Sequence, residues 1–426
     1  FSADAGLGTN SLACNFTCQV AGSNTAGMIY SWNFGDGTVS GALASPHASH
    51  VYAPGLYSVA LAVTNADGQS AAAFRTNFVR VMTDSDIYVH PSGGNTRPYT
   101  NWAGAARSPL DAVDMAATGA RIIVTNGVYG LSRTLFIERP IQITSVNGPG
   151  VTVLRASGAS GNDPYRVVEL LPSAGGALVD CVVSNNTGLD YVGCRGAVYA
   201  TNGLVYGCTV VGNDMYATPN DNDGQIASIG GGICLEGGGT AERCTISSNM
   251  AYYAGGAALL GGGTLRNCLV VNAADGGGVY MTGGAVENCT ICGNSLGRAG
   301  WTSGGLRMSG GTTLNSIIYF NGGGNSVEKT GGIFDFCQTE SAIAGASNSS
   351  IDPDFVNRSA GDYRLAAGSP CIDTGTNQAW MASGKDMDGF SRLVGTAVDR
   401  GAYESDPALS LIHISEPTRL LSISYA

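Results

Sequence analysis

Apolar residues alternate with polar ones in short runs along the middle of this chain. Residues 262–294 show the pattern twice, because GGTLRNCLVVN is followed 21 residues later by GGAVENCTICGN. Apolar residues at positions i and i+2, bounded by Gly-Gly, indicate short β-strands rather than helices. Each repeat contains two such runs. The first run supplies the pairs Val198/Ala200, Ile233/Leu235, Ala257/Leu259, Val279/Met281 and Leu306/Met308.

A cysteine occupies the same place in nearly every repeat, two positions before an apolar residue of the second run. Intervals of 21 to 36 residues with variable insertions are typical of a solenoid. We therefore predict that each repeat is one coil of a parallel β-helix, with equivalent residues about 4.8 Å apart. The cysteine position is taken by Cys181, Cys208, Cys244, Cys268, Cys289, Ser316 and Cys337.

These cysteines are predicted to stack inside the β-helix as buried free thiols. Stacked Cα atoms about 4.8 Å apart lie within disulfide range, but in-register parallel side chains point the same way and seldom reach the required dihedral angle. A metal site is disfavoured, because Cys289 and Cys292 would lie on opposite faces of one strand.

Asparagines recur at two further places in the repeat. Both sets are predicted to form corners of the coil, because Asn tolerates the left-handed conformation that tight corners need. Their side-chain amides would then hydrogen-bond along the column. One set precedes the cysteine position (Asn267, Asn288 and Asn315), and the other lies five residues after it (Asn186, Asn213, Asn249, Asn294 and Asn321).

Composition and charge support an all-β chain and argue against nucleic-acid binding and against a membrane span. The 64 Gly residues among 426 are about twice the usual share of about 7%, which is typical of many tight turns. The net charge is −11, and no basic patch of the kind that binds nucleic acid is present. No apolar run is long enough to span a membrane.

Residues 1–83 differ from the repeats, and their alternating apolar strands predict a small β-sandwich. The segment Trp32-Asn-Phe-Gly-Asp-Gly37, followed by His50-Val-Tyr52, resembles the PKD domain, an immunoglobulin-like sandwich of extracellular and surface proteins. The resemblance covers nearly all of 1–83 and implies that the Gly35-Asp36-Gly37 turn is structural. The predicted core and edges include Trp32, Phe34, Tyr52, Tyr57, Val59, Leu61 and Val63.

Residues 84–345 are predicted to form the β-helix domain, with its N-terminal cap at 86–170. Ser108 and Pro109 are predicted to begin a helix, because Pro is favoured just inside a Ser cap. The order strand, loop, helix, strand resembles the N-terminal part of pectate-lyase-like right-handed β-helix proteins. In that family an amphipathic helix covers the open end, as a solenoid requires to avoid end-to-end aggregation. We predict a monomer.

Residues 346–405 are predicted as a separate C-terminal segment. The stretch 351–404 resembles the choice-of-anchor Q segment, which follows such β-helices in bacterial surface proteins and precedes varied anchoring elements. Residues 406–426, which contain LSLIHISEPTRLLSISYA, lack the composition of everything before them. They resemble the conceptual translation of adapter DNA, and we interpret them as a non-native tail.

The outward positions of the first run suggest a glycan-binding surface. Tyr199 and Tyr280 are predicted to offer stacking faces for sugar rings, and Arg307 to bind a carboxylate. The alternative is that these are ordinary exposed residues of a strand. In chain order, the outward positions are Tyr199, Cys234, Ala258, Tyr280 and Arg307.

A possible metal site lies in the insertion between Cys208 and Cys244. Asp214, Asp221 and Asp223 form the densest acidic loop of the coils, and carboxylates are ligands that Ca²⁺ prefers. A solvated acidic loop is the alternative. Lyases that act by β-elimination need a base and often a cation that neutralises the uronate carboxylate.

The sequence therefore leaves three functions open for an extracellular bacterial protein, secreted or at the cell surface. The favoured one is binding of a polysaccharide or cell-surface glycan, or adhesion. The second is a calcium-dependent lyase acting on uronate-containing glycan, and the third is a stalk without a ligand. A hydrolase that uses Asp and His is disfavoured, because none of His47, His50, His90 and His413 falls in the coils.

Overall fold

The computed structural model describes residues 1–20, 27–157, 166–171, 175–187, 196–215, 229–252, 254–297, 303–323 and 325–405. They divide into two compact units. The first contains Phe1–Leu131 and Arg139–Asn147, and the second contains Ser132–Glu138 and the chain from Gly148 onward. Almost all regular structure is strand, so the all-β prediction is confirmed.

The first unit begins with an immunoglobulin-like sandwich of two sheets, ordered β1-β3-β5 and β2-β7-β6-β4. Trp32, Phe16 and Tyr52 are fully buried between the sheets, and the rings of Phe16 and Trp32 lie 5.4 Å apart. The strands are β1 (Ser2–Ala3), β2 (Leu7–Thr9), β3 (Leu12–Thr17), β4 (Ile29–Asn33), β5 (His47–Tyr52), β6 (Gly55–Thr64) and β7 (Ser70–Met82).

The rest of the first unit contains the predicted helix, α1 (Pro109–Met115). Ser108 caps it, because its side chain accepts a hydrogen bond from the Leu110 amide, which satisfies one of the otherwise unpaired first-turn donors. The neighbouring strands are β8 (Ile87–Val89), β9 (Arg121–Val124), β10 (Gly127–Leu131) and β12 (Gln142–Ser145), while the intervening β11 (Leu135–Ile137) belongs to the second unit. Strands β8, β9 and β12 pair in parallel.

The second unit is the right-handed parallel β-helix that the repeats predict. Equivalent strands of neighbouring coils pair in parallel and mostly in register, with register shifts between β17 and β19 and between β27 and β30. They are β13 (Thr152–Ala156), β14 (Val168–Leu170), β15 (Ala177–Val179), β16 (Val182–Ser184), β17 (Val198–Tyr206), β18 (Thr209–Val211), β19 (Ile233–Glu242), β20 (Thr245–Ser247), β21 (Ala257–Leu260), β22 (Thr264–Arg266), β23 (Leu269–Val271), β24 (Val279–Met281), β25 (Ala285–Glu287), β26 (Thr290–Cys292), β27 (Ser303–Met308), β28 (Thr312–Leu314), β29 (Ile317–Tyr319), β30 (Asn325–Lys329), β31 (Ile333–Asp335) and β32 (Gln338–Thr339).

From β14 onward, each coil contributes one strand to each of three faces. Face a contains β11, β14, β21, β24, β27 and β30 with the first halves of β17 and β19. Face b contains β15, β22, β25, β28 and β31 with the second halves of β17 and β19. Face c contains β13, β16, β18, β20, β23, β26, β29 and β32.

The cysteine column lies inside the β-helix, as predicted. All six cysteines of the column are buried and free. Five of the six thiols donate to a carbonyl of the preceding coil, as Cys244 does to Val205 at 3.4 Å and Cys289 to Leu265 at 3.3 Å. The small apolar thiol therefore fills the corner and still has a hydrogen-bond acceptor.

The second asparagine set does not take the left-handed conformation, which corrects the sequence interpretation, but its side-chain amides do hydrogen-bond along the column as predicted. The left-handed residue stands one position earlier, as at Asn185, Gly212 and Ser248. The asparagines that follow are buried and form a ladder: the side-chain nitrogen of Asn213 donates to the side-chain oxygen of Asn249 at 2.9 Å. The first set, at Asn267, Asn288 and Asn315, does have positive φ, as predicted.

The C-terminal segment, residues 351–405, packs along face c and its corner with face b. It contains β33 (Phe355–Asn357) and β34 (Asp362–Leu365), which pair antiparallel, and 3-10 turns at Arg358–Ala360 and Ala379–Ala382. Asn315 exchanges two hydrogen bonds with the backbone of Thr376, at 3.0 and 2.8 Å. The left-handed asparagine corner is therefore also the attachment line of this segment.

Candidate functional site

The outward column of face a is assembled as the repeats predict. Tyr199 pairs with Cys234, Cys234 with Ala258, Ala258 with Tyr280, and Tyr280 with Arg307. Because side chains alternate along a strand, the middle residue of each apolar pair points away from the core. The structure therefore places all three proposed glycan-binding residues in one column.

The end of this column near β30 is the more open one. Glu328 follows Arg307 in register, and the Arg307 Nε lies 3.3 Å from a Glu328 carboxylate oxygen, with the two side chains 37% and 27% exposed. The Arg307 guanidinium carbon lies 6.0 Å from the centre of the Tyr280 ring. An aromatic ring, a cation and a carboxylate thus succeed one another over three coils.

Tyr199 has different surroundings at the other end of the column. It is only 6% exposed, its hydroxyl donates to the Glu236 carboxylate, and the Arg166 guanidinium carbon lies 4.5 Å from its ring centre. Arg166 also bonds to Glu169 at 2.6 Å. Tyr199 is therefore held among charged side chains and packs against Cys234 and Ala258.

Sequence reasoning missed Arg166, Glu169 and Glu236. Glu169 stands next to Tyr199 in the same outward column, one coil earlier. The signal was available, because Val168-Glu169-Leu170 has the apolar–outward–apolar pattern of the other repeats. Arg166 precedes β14 and Glu236 follows the Ile233/Leu235 pair in β19, so both lie outside the apolar pairs from which the pattern gives an orientation.

The proposed metal ligands are only partly described by the structure. Asp214 is half-buried, its amide donates to the Asn186 carbonyl at 2.7 Å, and burial raises its pKa. Asp221 and Asp223 lie outside the described residues. Within the described ranges, no group of three or more His, Cys, Asp or Glu side chains is placed to hold a metal ion, so the calcium site stays a prediction.

A second polar cluster lies where face b meets the C-terminal segment. Arg266 bonds to Glu287 at 2.9 Å, and its guanidinium carbon lies 4.3 Å from the centre of the Trp380 ring. Arg243 donates to the carbonyl of Asp386 at 2.7 Å. These side chains join the segment to the coils, which gives them a structural use.

Comparison with known proteins identifies the N-terminal part of the chain. Residues 4–78 match the family model of the PKD domain. The chain carries a PKD domain at its N-terminus. No curated protein matches the chain.

One similar solved structure is the crystal structure of pectate lyase Pel9A. The similarity covers 76% of this chain and 96% of that chain, with 16% sequence identity and a TM-score of 0.44. In the described residues, no helix is long and apolar enough to cross a membrane.

The PKD domain uses its acidic turn for structure. Gly35 has a φ of +84°, and a Cβ there would lie 2.1 Å from the Ser58 carbonyl oxygen, so only glycine fits. Asp36 accepts hydrogen bonds from the Thr38 amide and hydroxyl, and its Oδ2 lies 2.6 Å from Nε2 of His50. Burial favours the neutral carboxyl, but the bonds from Thr38 and His50 outweigh it and lower the pKa of Asp36.

Proposed function

We propose that this chain is an extracellular bacterial protein, secreted or at the cell surface, that binds polysaccharide on face a of its β-helix. The observation that carries the proposal is the column of Tyr280, Arg307 and Glu328 on three successive coils. The PKD domain and the resemblance of 351–404 to a choice-of-anchor segment support an extracellular location.

The chemistry of this column suits an extended sugar chain. Tyrosine offers an apolar ring with a polar tip, which suits the mixed surface of a pyranose. Arginine binds carboxylates with two parallel hydrogen bonds, so Arg307 favours a uronate or another acidic sugar. Equivalent positions recur about every 4.8 Å along the β-helix, so neighbouring coils contact successive parts of one chain.

A lyase acting by β-elimination is the second candidate function. The cluster of Arg166, Glu169, Tyr199 and Glu236 favours it, because it brings a cation and groups able to accept a proton onto the same face. Proton abstraction needs such a positioned base. The third reading, a stalk without ligand, predicts neither binding nor turnover.

One experiment separates the three functions. The full chain is run through native gels that contain a panel of acidic and neutral polysaccharides, and the same mixtures are monitored for the ultraviolet absorbance of unsaturated sugar, with Ca²⁺ and with a chelator. Retardation without new absorbance supports binding. New absorbance that the chelator abolishes supports the calcium-dependent lyase. If neither retardation nor new absorbance is seen, the stalk is the remaining function and the binding proposal is refuted.

Substitutions locate the binding surface. We expect Arg307→Ala to weaken retardation by about tenfold, since a charge-assisted hydrogen bond contributes about 1.5–3 kcal/mol. Tyr280→Ala should also weaken retardation, because it removes the aromatic ring that stacks on the sugar. Tyr319→Ala is the matched control, because Tyr319 is a half-buried tyrosine on face c. Equal loss of binding in the control would show that face a is not the surface involved.

A further inference from the structure

A loop of the first unit between β8 and α1 forms an open cavity of about 300 Å³, lined by residues 96–101, 103 and 104. Backbone hydrogen bonds tie its two sides together: Gly94 donates to Ala103 at 2.9 Å and Thr96 donates to Gly104 at 3.0 Å. Its size is at the lower end of small-molecule sites.

Tyr99 lines this cavity in an unusual state. Its φ is +68°, a conformation that bulky residues rarely adopt and that is found at ligand sites. The side chain is 1% exposed, yet its hydroxyl has no hydrogen-bond partner among the described residues. Burial raises the pKa of Tyr99, so the hydroxyl keeps its proton and can donate it to a ligand oxygen.

The remaining lining residues supply polar groups. The side-chain oxygen of Asn101 accepts a hydrogen bond from the Gly104 amide at 2.8 Å, which fixes the orientation of its amide nitrogen. Arg97 is exposed, with its guanidinium carbon 5.8 Å from the Tyr99 ring centre, and within the described ranges it has no ion-pair partner. Thr96 and Thr100 add hydroxyl groups to the lining.

An exposed aromatic residue, Trp102, stands in the chain between Asn101 and Ala103, which both line the cavity. Trp102 is 43% exposed and is held edge-on against Tyr88 with 4.5 Å between ring centres. Large exposed aromatic side chains that are fixed by a neighbour suit stacking against flat apolar faces of a ligand.

We propose that the loop 96–104 is a binding site for a pyranose that carries a carboxylate, such as one uronic acid unit of a polysaccharide. Arg97 binds the carboxylate, Asn101 and the Tyr99 hydroxyl bind ring or hydroxyl oxygens, and Trp102 stacks on the sugar face. The site lies in the first unit and rests on none of the face a residues. It therefore adds a second site to the proposed function and can fail or succeed separately.

The test uses the full chain labelled with 5-fluorotryptophan. The chain has four tryptophans, and the Trp102 resonance is assigned with Trp102→Phe. We expect trigalacturonic acid to shift the Trp102 resonance and leave Trp380 unchanged, while a neutral trisaccharide binds about tenfold more weakly because it lacks the charge-assisted bond. A Trp102 resonance that no acidic trisaccharide moves would overturn the proposal.

Variants separate the roles within the site and separate this site from face a. Arg97→Ala should reduce trigalacturonate affinity by about tenfold, whereas Arg155→Ala, which removes another exposed arginine, should not. Tyr99→Phe should also weaken binding, and a variant that is only more stable, with unchanged affinity, argues against a ligand role for the hydroxyl. Arg307→Ala should leave the Trp102 shift intact. Loss of that shift would mean that the signal comes from face a.

Discussion

At the scale of the residue, the asparagine ladder is the most demanding feature of the β-helix. Asn294 is fully buried, and its amide nitrogen donates to the Val270 carbonyl and to Asn321, at 3.0 and 2.9 Å. Its side-chain oxygen accepts from the Ala273 amide at 3.0 Å. One side chain thus satisfies backbone groups at a corner where the sheet ladder cannot.

We expect Asn294→Ala to lower the free energy of unfolding by about 3 kcal/mol, because each buried polar group left without a partner costs about 1–3 kcal/mol. Asn325→Ala, at an exposed position of β30, is the matched control and should change stability by less than about 0.5 kcal/mol. Urea denaturation followed by circular dichroism measures both. Equal losses of stability in Asn294→Ala and Asn325→Ala would mean that the buried ladder contributes no more to stability than an exposed asparagine does.

The paired carboxylate of the PKD domain has a defined pH dependence. Because the folded pKa of Asp36 is lowered, the carboxylate stabilises the folded domain above its unfolded pKa of about 3.9. That contribution is lost as the pH falls below about 4 through the lower folded pKa. We expect Asp36→Asn to flatten the acid limb of the stability curve, measured by thermal unfolding from neutral to acidic pH. The control is Asp67→Asn, in an exposed turn, which should leave the acid limb unchanged. If Asp36→Asn has the same acid limb as the unmodified protein, the Asp36 carboxylate is not its source.

At the scale of the element, the outward side chains of face c change character along the β-helix. They are Thr209, Val211, Thr245 and Ser247 in two coils, and Leu269, Val271, Cys292 and Ile317 in those that follow. The second group packs against Phe355, Tyr363 and Leu365 of the C-terminal segment. These outward apolar side chains therefore form the docking surface of the C-terminal segment, which explains why they depart from the alternation of apolar and polar residues.

We expect Ile317→Asp to release the C-terminal segment, because Ile317 is fully buried beneath it and an unpaired charge is strongly disfavoured there. Cys292 and Cys371, both buried in this interface, should then react with a maleimide, while Cys268 inside the coil stays protected. Mass spectrometry locates the labelled thiols. Ile333→Asp, at a residue that is 53% exposed, is the control, and protection of Cys292 in Ile317→Asp would refute the docking role.

At the scale of the whole molecule, the PKD domain has a hydrophobic core cluster of its own. Leu61 lies in the core of the PKD domain, and Leu265 lies inside a coil of the β-helix. Both are at most 3% exposed. Chains with several domains commonly unfold in more than one cooperative step.

We expect calorimetry to resolve more than one unfolding transition. Leu61→Ala and Leu265→Ala should each lower the stability of one unit by about 2–5 kcal/mol, the usual effect of this substitution in a core, and should shift different transitions. The two variants serve as controls for each other. A common shift of all transitions by either substitution would mean that the chain unfolds as one cooperative body.

Much of this architecture could be predicted from local pattern. The apolar pairs, the cysteine column and the Ser108 cap follow from periodicity and from cap chemistry, which act over a few residues. The column that joins Tyr199, Tyr280 and Arg307 was also predictable, because a constant coil places equivalent positions above one another. Residue order alone therefore determined the coil, its inward side and its outward side.

What the outward side chains meet was decided only by tertiary structure. Tyr199 and Tyr280 have the same place in the repeat, yet Tyr199 is buried beside Arg166 and Glu236 while Tyr280 lies at the more open end. The asparagines at the second corner became a buried ladder because the left-handed turn falls one residue earlier. Contacts between parts of the chain distant in sequence leave no period to detect, so the docking surface of the C-terminal segment and the cavity around Tyr99 follow only from the tertiary structure.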